Sequence, residues 1–224
     1  MFGEFLSPAI VDLLIEATLD TLFIVGLSGV IGTALGLPLG VFLATSRAGE
    51  LFAAPWANRI IGLVVNAARS TPFIILVVAI IPFTRLVAGT SIGTGAAVVP
   101  MTLAATPFIA RVIEAAIRGV DQGLIEAARA MGASPLQIVR KVLLPEALPA
   151  ITLALTLTAV SLIGYSAMVG AVGGGGLGDL GIRFGYQRFM PDVMATVVVI
   201  LILLVQGVQS LGDFLARRFD KRGK

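Results

Sequence analysis

The sequence predicts an all-α, polytopic membrane protein with about five transmembrane helices and one large cytoplasmic loop. Three observations carry that prediction: a scarcity of charge, five long stretches without any charge, and an uneven split of Lys and Arg between the connections. Only 13% of the 224 residues are charged while 57% are hydrophobic, against about 25% charged in a soluble domain, so a water-facing surface cannot be covered. The chain has no His and no Cys. That excludes the usual zinc sites, thiol nucleophiles, disulfides and His-based acid–base catalysis. A net charge of +3, dispersed along the chain, makes no footprint for nucleic acid.

The opening twenty residues carry Glu4, Asp12, Glu16 and Asp20 but no Lys or Arg, so no cleaved signal peptide is expected, because its start should be basic. Ser7-Pro8 reads as an N-cap with proline at the first helical position, opening a short helix over 8–20. A spanning helix needs about 20 apolar residues, and the charge-free run Thr21–Ser46 holds the first, at about 20–46. Within it Ser28, Gly32, Gly36, Gly40 and Ala44 place a small residue at every fourth position, which reads as a surface for close helix packing. Pro38 adds a local kink.

The second span, about 60–84, is the least regular. Its charge-free run, Ser70–Thr84, has only 15 residues, so a crossing must borrow Ile60–Ala68 and carry Arg69 into the membrane. Such a charge is costly. Arg69 either lies near the inner interface and snorkels, or is buried and paired, with Ser70-Thr71-Pro72 breaking the helix and freeing carbonyls; structural pairing outweighs ligand contact. The remaining spans fall at about 91–116, 145–167 and 192–215, built on the charge-free runs Leu86–Ala110, Ala147–Gly178 and Val193–Gly212. Residues 1–224 read as a single transmembrane domain.

Cytoplasmic connections are enriched in Lys and Arg. With the N-terminus outside and the C-terminus inside, the inner segments hold eleven: Arg47 and Arg59, then Arg118, Arg129, Arg140 and Lys141, then Arg217, Arg218, Lys221, Arg222 and Lys224. The outer segments hold Arg85, Arg183 and Arg188.

The inner loop at about 118–144 is far longer than the 2 to 8 residues that most helix–helix connections use. Asp121 caps an expected helix from Gln122 to Met131, Gly132 supplies a left-handed stop, and Ser134-Pro135-Leu136-Gln137 has the form of a capping box. Two short helices should meet at a sharp corner. Small side chains at Ala127, Ala128, Ala130 and Ala133 let another surface approach closely, so a partner should dock there.

Glu126-Ala127-Ala128, Gly132, Val142, Leu144 and Pro145 resemble the EAA signature of ABC importer permeases, E-A-A-x3-G-x9-I-x-L-P, with Val142 in place of Ile. The segments 69–93, 107–116, 125–150 and 164–181 are similar to one branch, the methionine importer permeases. The resemblance implies that this is a coupling-helix loop seated on an ATPase subunit, with Glu126, Ala127, Ala128, Gly132, Ala133, Pro135 and Leu136 as coupling residues. It further implies the permease subunit of an ATP-driven methionine importer in the bacterial cytoplasmic (inner) membrane. Two copies would assemble with two ABC ATPase subunits, which carry ATP and Mg, and with an external substrate-binding lipoprotein.

The chain has no G-x4-G-K-[ST] phosphate loop. Gly173–Gly178 fits G-x-G-x-x-G, but after a membrane span rather than a strand. No carboxylate falls deep inside an expected span, which disfavours the alternative of a self-contained ion-coupled carrier, although backbone carbonyls alone can hold Na⁺. No catalytic residue, metal ligand or cofactor of its own is expected. The glycine-rich stretch after Gly164 cannot be helical throughout and should line protein or a watery outer mouth. Tyr165, Ser166 and Met168 at its start are the pathway or gate candidates, since a soft thioether and an amphipathic ring suit a methionine side chain.

Overall fold

A computed structural model describes residues 8–219, and every regular element among them is helical. The first helix, α1 (Pro8–Thr45), runs 38 residues without a break. The expected separate helix over 8–20 is instead its N-terminal part: Asp12, Glu16 and Asp20 stand four apart on one side, and nothing between them stops a helix. The Ser7 cap lies outside the described residues, as do Lys221, Arg222 and Lys224. The helix continues through Pro38.

The small-residue row finds its partner in α5 (Thr94–Arg118). Ser28, Gly32, Gly36, Gly40 and Ala44 are all buried, and the two helices run parallel with backbones almost touching. A Cβ on Gly32 would stand 2.9 Å from the Ala105 Cβ, one on Gly36 2.9 Å from the Thr106 oxygen, and one on Gly40 2.6 Å from the Ala110 oxygen. At the outer end of the row the Ser28 hydroxyl donates to the Val98 carbonyl at 3.4 Å. Ile24, Met101, Ile109, Ile113 and Leu162 are fully buried at the centre of this core.

The second span departs from expectation. It is three pieces, α2 (Pro55–Ser70), α3 (Phe73–Ala79) and α4 (Ile81–Ala88), and α2 and α3 are bent by 101°. Pro72 has no N–H to donate and holds Thr71 in extended backbone (φ −81°, ψ 125°), so the helix ends where the chain turns. The start of α2 is pinned to the end of α1 by the Asn58 amide, which donates to the Leu43 carbonyl and the Ser46 hydroxyl, both at 2.9 Å.

After α6 (Gln122–Ala130), the fourth span also differs. It begins at Pro135, ten residues before the expected start, and forms one 36-residue helix, α7 (Pro135–Gly170). The short helix after the corner is therefore the first turn of the span. A π-helical turn, Val139–Leu143, lies just before Pro145 and accommodates the missing proline donor without ending the helix.

The glycine-rich stretch is more ordered than its composition suggests. A tight turn leads into α8 (Gly176–Leu180), which passes through a π-helical segment, Gly181–Gln187, toward α9 (Pro191–Phe219). Glycine serves close approach here, since a Cβ on Gly178 would stand 2.4 Å from the Ala167 Cα. The Leu177 N–H, in the first turn of α8 and without an intrahelical acceptor, donates to the buried Thr21 hydroxyl at 2.9 Å. Thr21→Val keeps the shape and strands that donor. It should destabilise the chain by about 1–2 kcal/mol and lower its melting temperature in detergent, whereas an unchanged melt would remove this tie from the fold.

Candidate functional site

At the corner between α5 and α7, the Asp121 carboxylate accepts from the Gly123 N–H at 2.7 Å and opens α6, which ends one residue sooner than expected, with Met131 as its C-cap. Gly132 comes next at φ +78°, a conformation a side chain resists. The Ser134 N–H then donates to the Gln137 side chain at 2.8 Å and the Gln137 N–H to the Ser134 hydroxyl at 3.4 Å, the reciprocal pair expected from the sequence.

The corner has two faces. Ile125 and Ala128 are buried with Val120, Ile138, Val139 and Leu143, so Ala128 seats α6 on the chain's own core and Ala133 is half-buried. Glu126, Ala127, Gly132, Pro135 and Leu136 face outward. With them stand two apolar side chains that the motif does not name, Leu124 and Met131, the latter 81% exposed. Their spacing of seven puts them on one side of the helix, a periodicity visible in the sequence.

Above the corner lies a charged cluster that the sequence did not reveal. Glu114 is 4% exposed, and three guanidinium groups surround its carboxylate: Arg47 at 2.9 Å, Arg111 at 2.5 Å and Arg118 at 3.8 Å. Arg111 also donates to the Gly62 carbonyl of α2 at 2.8 Å. A carboxylate can be taken out of water only if it is paired and hydrogen-bonded, and here that requirement fastens the end of α1, the middle of α2 and the inner part of α5 together. Arg111, Glu114 and Arg118 lie at helical spacing and were legible as a set. Arg47, 67 positions away in sequence from Glu114, was not.

The pathway candidates occupy distinct environments. Arg69 lies in the last turn of α2 with its side chain exposed, and its guanidinium sits 5.7 Å over the Phe108 ring of α5. Among the described residues it has no ion pair or hydrogen bond, so of the two arrangements open to it from the sequence, snorkelling or buried pairing, the second is not formed among them. Tyr165 stacks on Phe73 with ring centroids 4.4 Å apart, joining α7 to the first residue of α3. Met168 is half exposed. Ser166 is buried and its hydroxyl donates to the Ile163 carbonyl at 2.7 Å within its own helix, leaving that proton unavailable to a solute. At the opposite end of the helices from the corner, an open cavity of about 490 Å³ is bordered by Glu16, Asp20, Asp179 and Arg183, with Arg183 and Asp179 paired.

Residues 36–223 match the family described as binding-protein-dependent transport system inner membrane component. The chain is 56% identical over 211 residues, 94% of each chain, to the probable D-methionine transport system permease protein MetI of Vibrio cholerae. It is 52% identical over 165 residues to the D-methionine transport system permease protein MetI of Escherichia coli, covering 74% of this chain and 76% of that one. Among solved structures, a chain of the MetNI methionine ABC transporter in an inward-facing conformation superposes with a TM-score of 0.94 at 50% identity, over 96% of this chain and 100% of that one. An amino acid ABC transporter crystallised with histidines shares the fold, with a TM-score of 0.77 at 22% identity, over 93% of this chain and 94% of that one.

Proposed function

Since the chain belongs to the family of binding-protein-dependent transport system inner membrane components, we propose that it is the membrane-spanning subunit of an ATP-driven methionine importer. Two copies form the translocation pathway and associate with two ABC ATPase subunits, where ATP and Mg are bound, and with an external substrate-binding lipoprotein. The N-terminus lies outside and the C-terminus in the cytoplasm. This chain makes and breaks no bonds; it moves.

The observation that carries this reading is the corner at Gly132, which presents Leu124, Met131 and Leu136 outward from a helix whose other face is locked into the core. Exposed apolar side chains in an otherwise charged, water-facing loop mark a docking surface. When the ATPase halves close, α6 is displaced, and Ile125 and Ala128 pass that displacement to the inner ends of α5 and α7. The Glu114 cluster extends it to α1 and α2, so helices that belong to different spans move together.

A double substitution, Met131→Glu with Leu136→Glu, alters only exposed side chains and should leave the melting temperature of the isolated chain unchanged. It should abolish co-purification of the ATPase and reduce ATP-dependent methionine uptake in proteoliposomes at least about tenfold. Normal uptake by this variant would overturn the docking assignment. Uptake by the wild-type chain alone, driven by an ion gradient without an ATPase, would replace the importer reading with that of an ion-coupled carrier.

A further inference from the structure

The guanidinium of Arg69 lies level with the middle third of α5, a helix long and apolar enough to cross a membrane, and among the described residues no carboxylate stands at that level. Phe108, whose ring it overlies at 5.7 Å, is an internal residue of α5, which runs Thr94–Arg118. At about 1.5 Å per residue it stands about 21 Å from the outer end and about 15 Å from the inner end. Outer carboxylates reach inward only as far as Asp20, which lies beside Gly175 and Thr94 at the start of α5, and Asp179 and Asp192, in the first turns of α8 and α9. Inner carboxylates begin with Glu114, about 9 Å deeper toward the cytoplasm than Phe108 and held by three arginines. Glu146 lies at the level of Ala115 and Val120. Asp213 lies beside Pro149, which in turn lies beside Ala115, Ala116 and Gly119, so it too stands toward the inner end of α5 from Phe108. These six bound the described carboxylates on either side.

A second copy does not change this. Two copies related by a two-fold axis along the membrane normal hold every residue at the same depth, so the described residues of the partner also bring no carboxylate to Arg69. Facing hydrocarbon, the charge would carry the full insertion penalty. An exposed guanidinium at this depth therefore belongs on a water-lined surface, and the anion that neutralises it comes from outside the protein.

We propose that Arg69 is a binding residue of the translocation pathway and receives the α-carboxylate of the amino acid in transit. This rests on the importer reading above and adds the chemical group that the pathway recognises. Guanidinium groups pair with carboxylates in a planar, bidentate fashion. Just beyond the 101° bend after Arg69, the partly exposed Tyr165 ring, held by its stack on the buried Phe73, provides an apolar surface for the remainder of a methionine, whose sulfur is attracted to aromatic rings. Recognition at Arg69 is then shared by all α-amino acids, while selection among side chains is made elsewhere.

The natural absence of Cys makes the test direct. Thr71→Cys places a thiol two residues from Arg69 at an exposed position, in the complete complex with its ATPase in lipid nanodiscs, and an anionic, water-soluble methanethiosulfonate reports its accessibility. The thiol should react, saturating L-methionine should slow the reaction at least about fivefold, and methioninamide, which lacks the carboxylate, should not. Adding Arg69→Gln should remove the protection, and Arg69→Lys should keep part of it. A thiol that never reacts, protection by methioninamide equal to that by methionine, or protection that survives Arg69→Gln would each overturn the proposal. ATP-driven methionine uptake by the same Thr71→Cys complex, supplied with its external binding protein, separates the two readings. Uptake without carboxylate-dependent protection sinks this inference alone, whereas a wild-type complex that takes up no methionine sinks the importer reading.

Discussion

Glu114→Leu is expected to destabilise the folded chain by about 3 kcal/mol. Removing one member of a buried ionic group leaves the remaining charge uncompensated, which costs about 3–5 kcal/mol where the survivors are fully buried. Here the Arg47 and Arg118 side chains are 42% and 46% exposed, so water recovers part of the loss. Arg111 is the least solvated of the three, at 19%, and bears most of it. Glu114→Gln should fall between wild type and Glu114→Leu, because the amide still accepts a hydrogen bond but carries no charge. The double variant Arg111→Met/Glu114→Leu should melt above Glu114→Leu alone, since the most buried stranded charge is gone. Thermal unfolding in detergent of the three variants decides the matter. Identical melting temperatures for wild type and Glu114→Gln would show that the cluster adds nothing to stability, and the transmission of motion assigned to it would lose its basis.

The second large effect lies in the contact between α1 and α5. A methyl group at position 40 would meet the Ala110 oxygen at 2.6 Å and the Ile113 Cβ at 2.8 Å, and neither can swing away as the end of a long side chain would. Gly40→Ala should therefore destabilise by about 1–3 kcal/mol, the usual range for overpacking, and Gly40→Leu should prevent the two helices from closing, so that no folded chain accumulates in the membrane. Gly26 provides the control, for nothing lies within 4 Å of a Cβ built there. Gly26→Ala should be neutral or stabilising by up to about 1 kcal/mol, because alanine is the better helix former. Expression and melting temperature of the three variants separate a steric requirement from a general intolerance of larger residues. Equal behaviour of Gly40→Ala and Gly26→Ala would mean that the contact is looser than the structure indicates.

Much of the architecture is legible in the sequence because its signals are local. Charge-free runs locate the spans, and the cytoplasmic corner is encoded in Asp121, Gly132 and the Ser134–Gln137 pair, each of which acts within one turn of helix. Features that depend on more distant parts of the chain are harder to read. Nothing local tells that the helix begun at Ser134 continues through Pro145, because a π-helical turn absorbs the proline. Glycines between 170 and 185 have the composition of a helix breaker, yet several are there because α8 lies against Ala167 and Thr21 and leaves no room for a Cβ. The same holds for the exposed part of the corner: the motif names Ala128, which burial turns inward, and passes over Met131, which the end of α6 turns outward.

The sequence by itself determined that this chain is built for lipid, roughly where its long helices fall, and that its one elaborate loop folds into a capped corner, because hydrophobic length, charge and capping are properties of neighbouring residues. Tertiary structure decided the rest. It chose α5 as the partner of the small-residue row, gathered Arg47, Arg111 and Arg118 around Glu114, and set the Arg69 guanidinium over the Phe108 ring. Those outcomes depend on which helix lies beside which and at what height. A residue's own neighbours in the chain carry no record of either, since close packing and the pairing of buried charge are satisfied between segments that sequence leaves far apart.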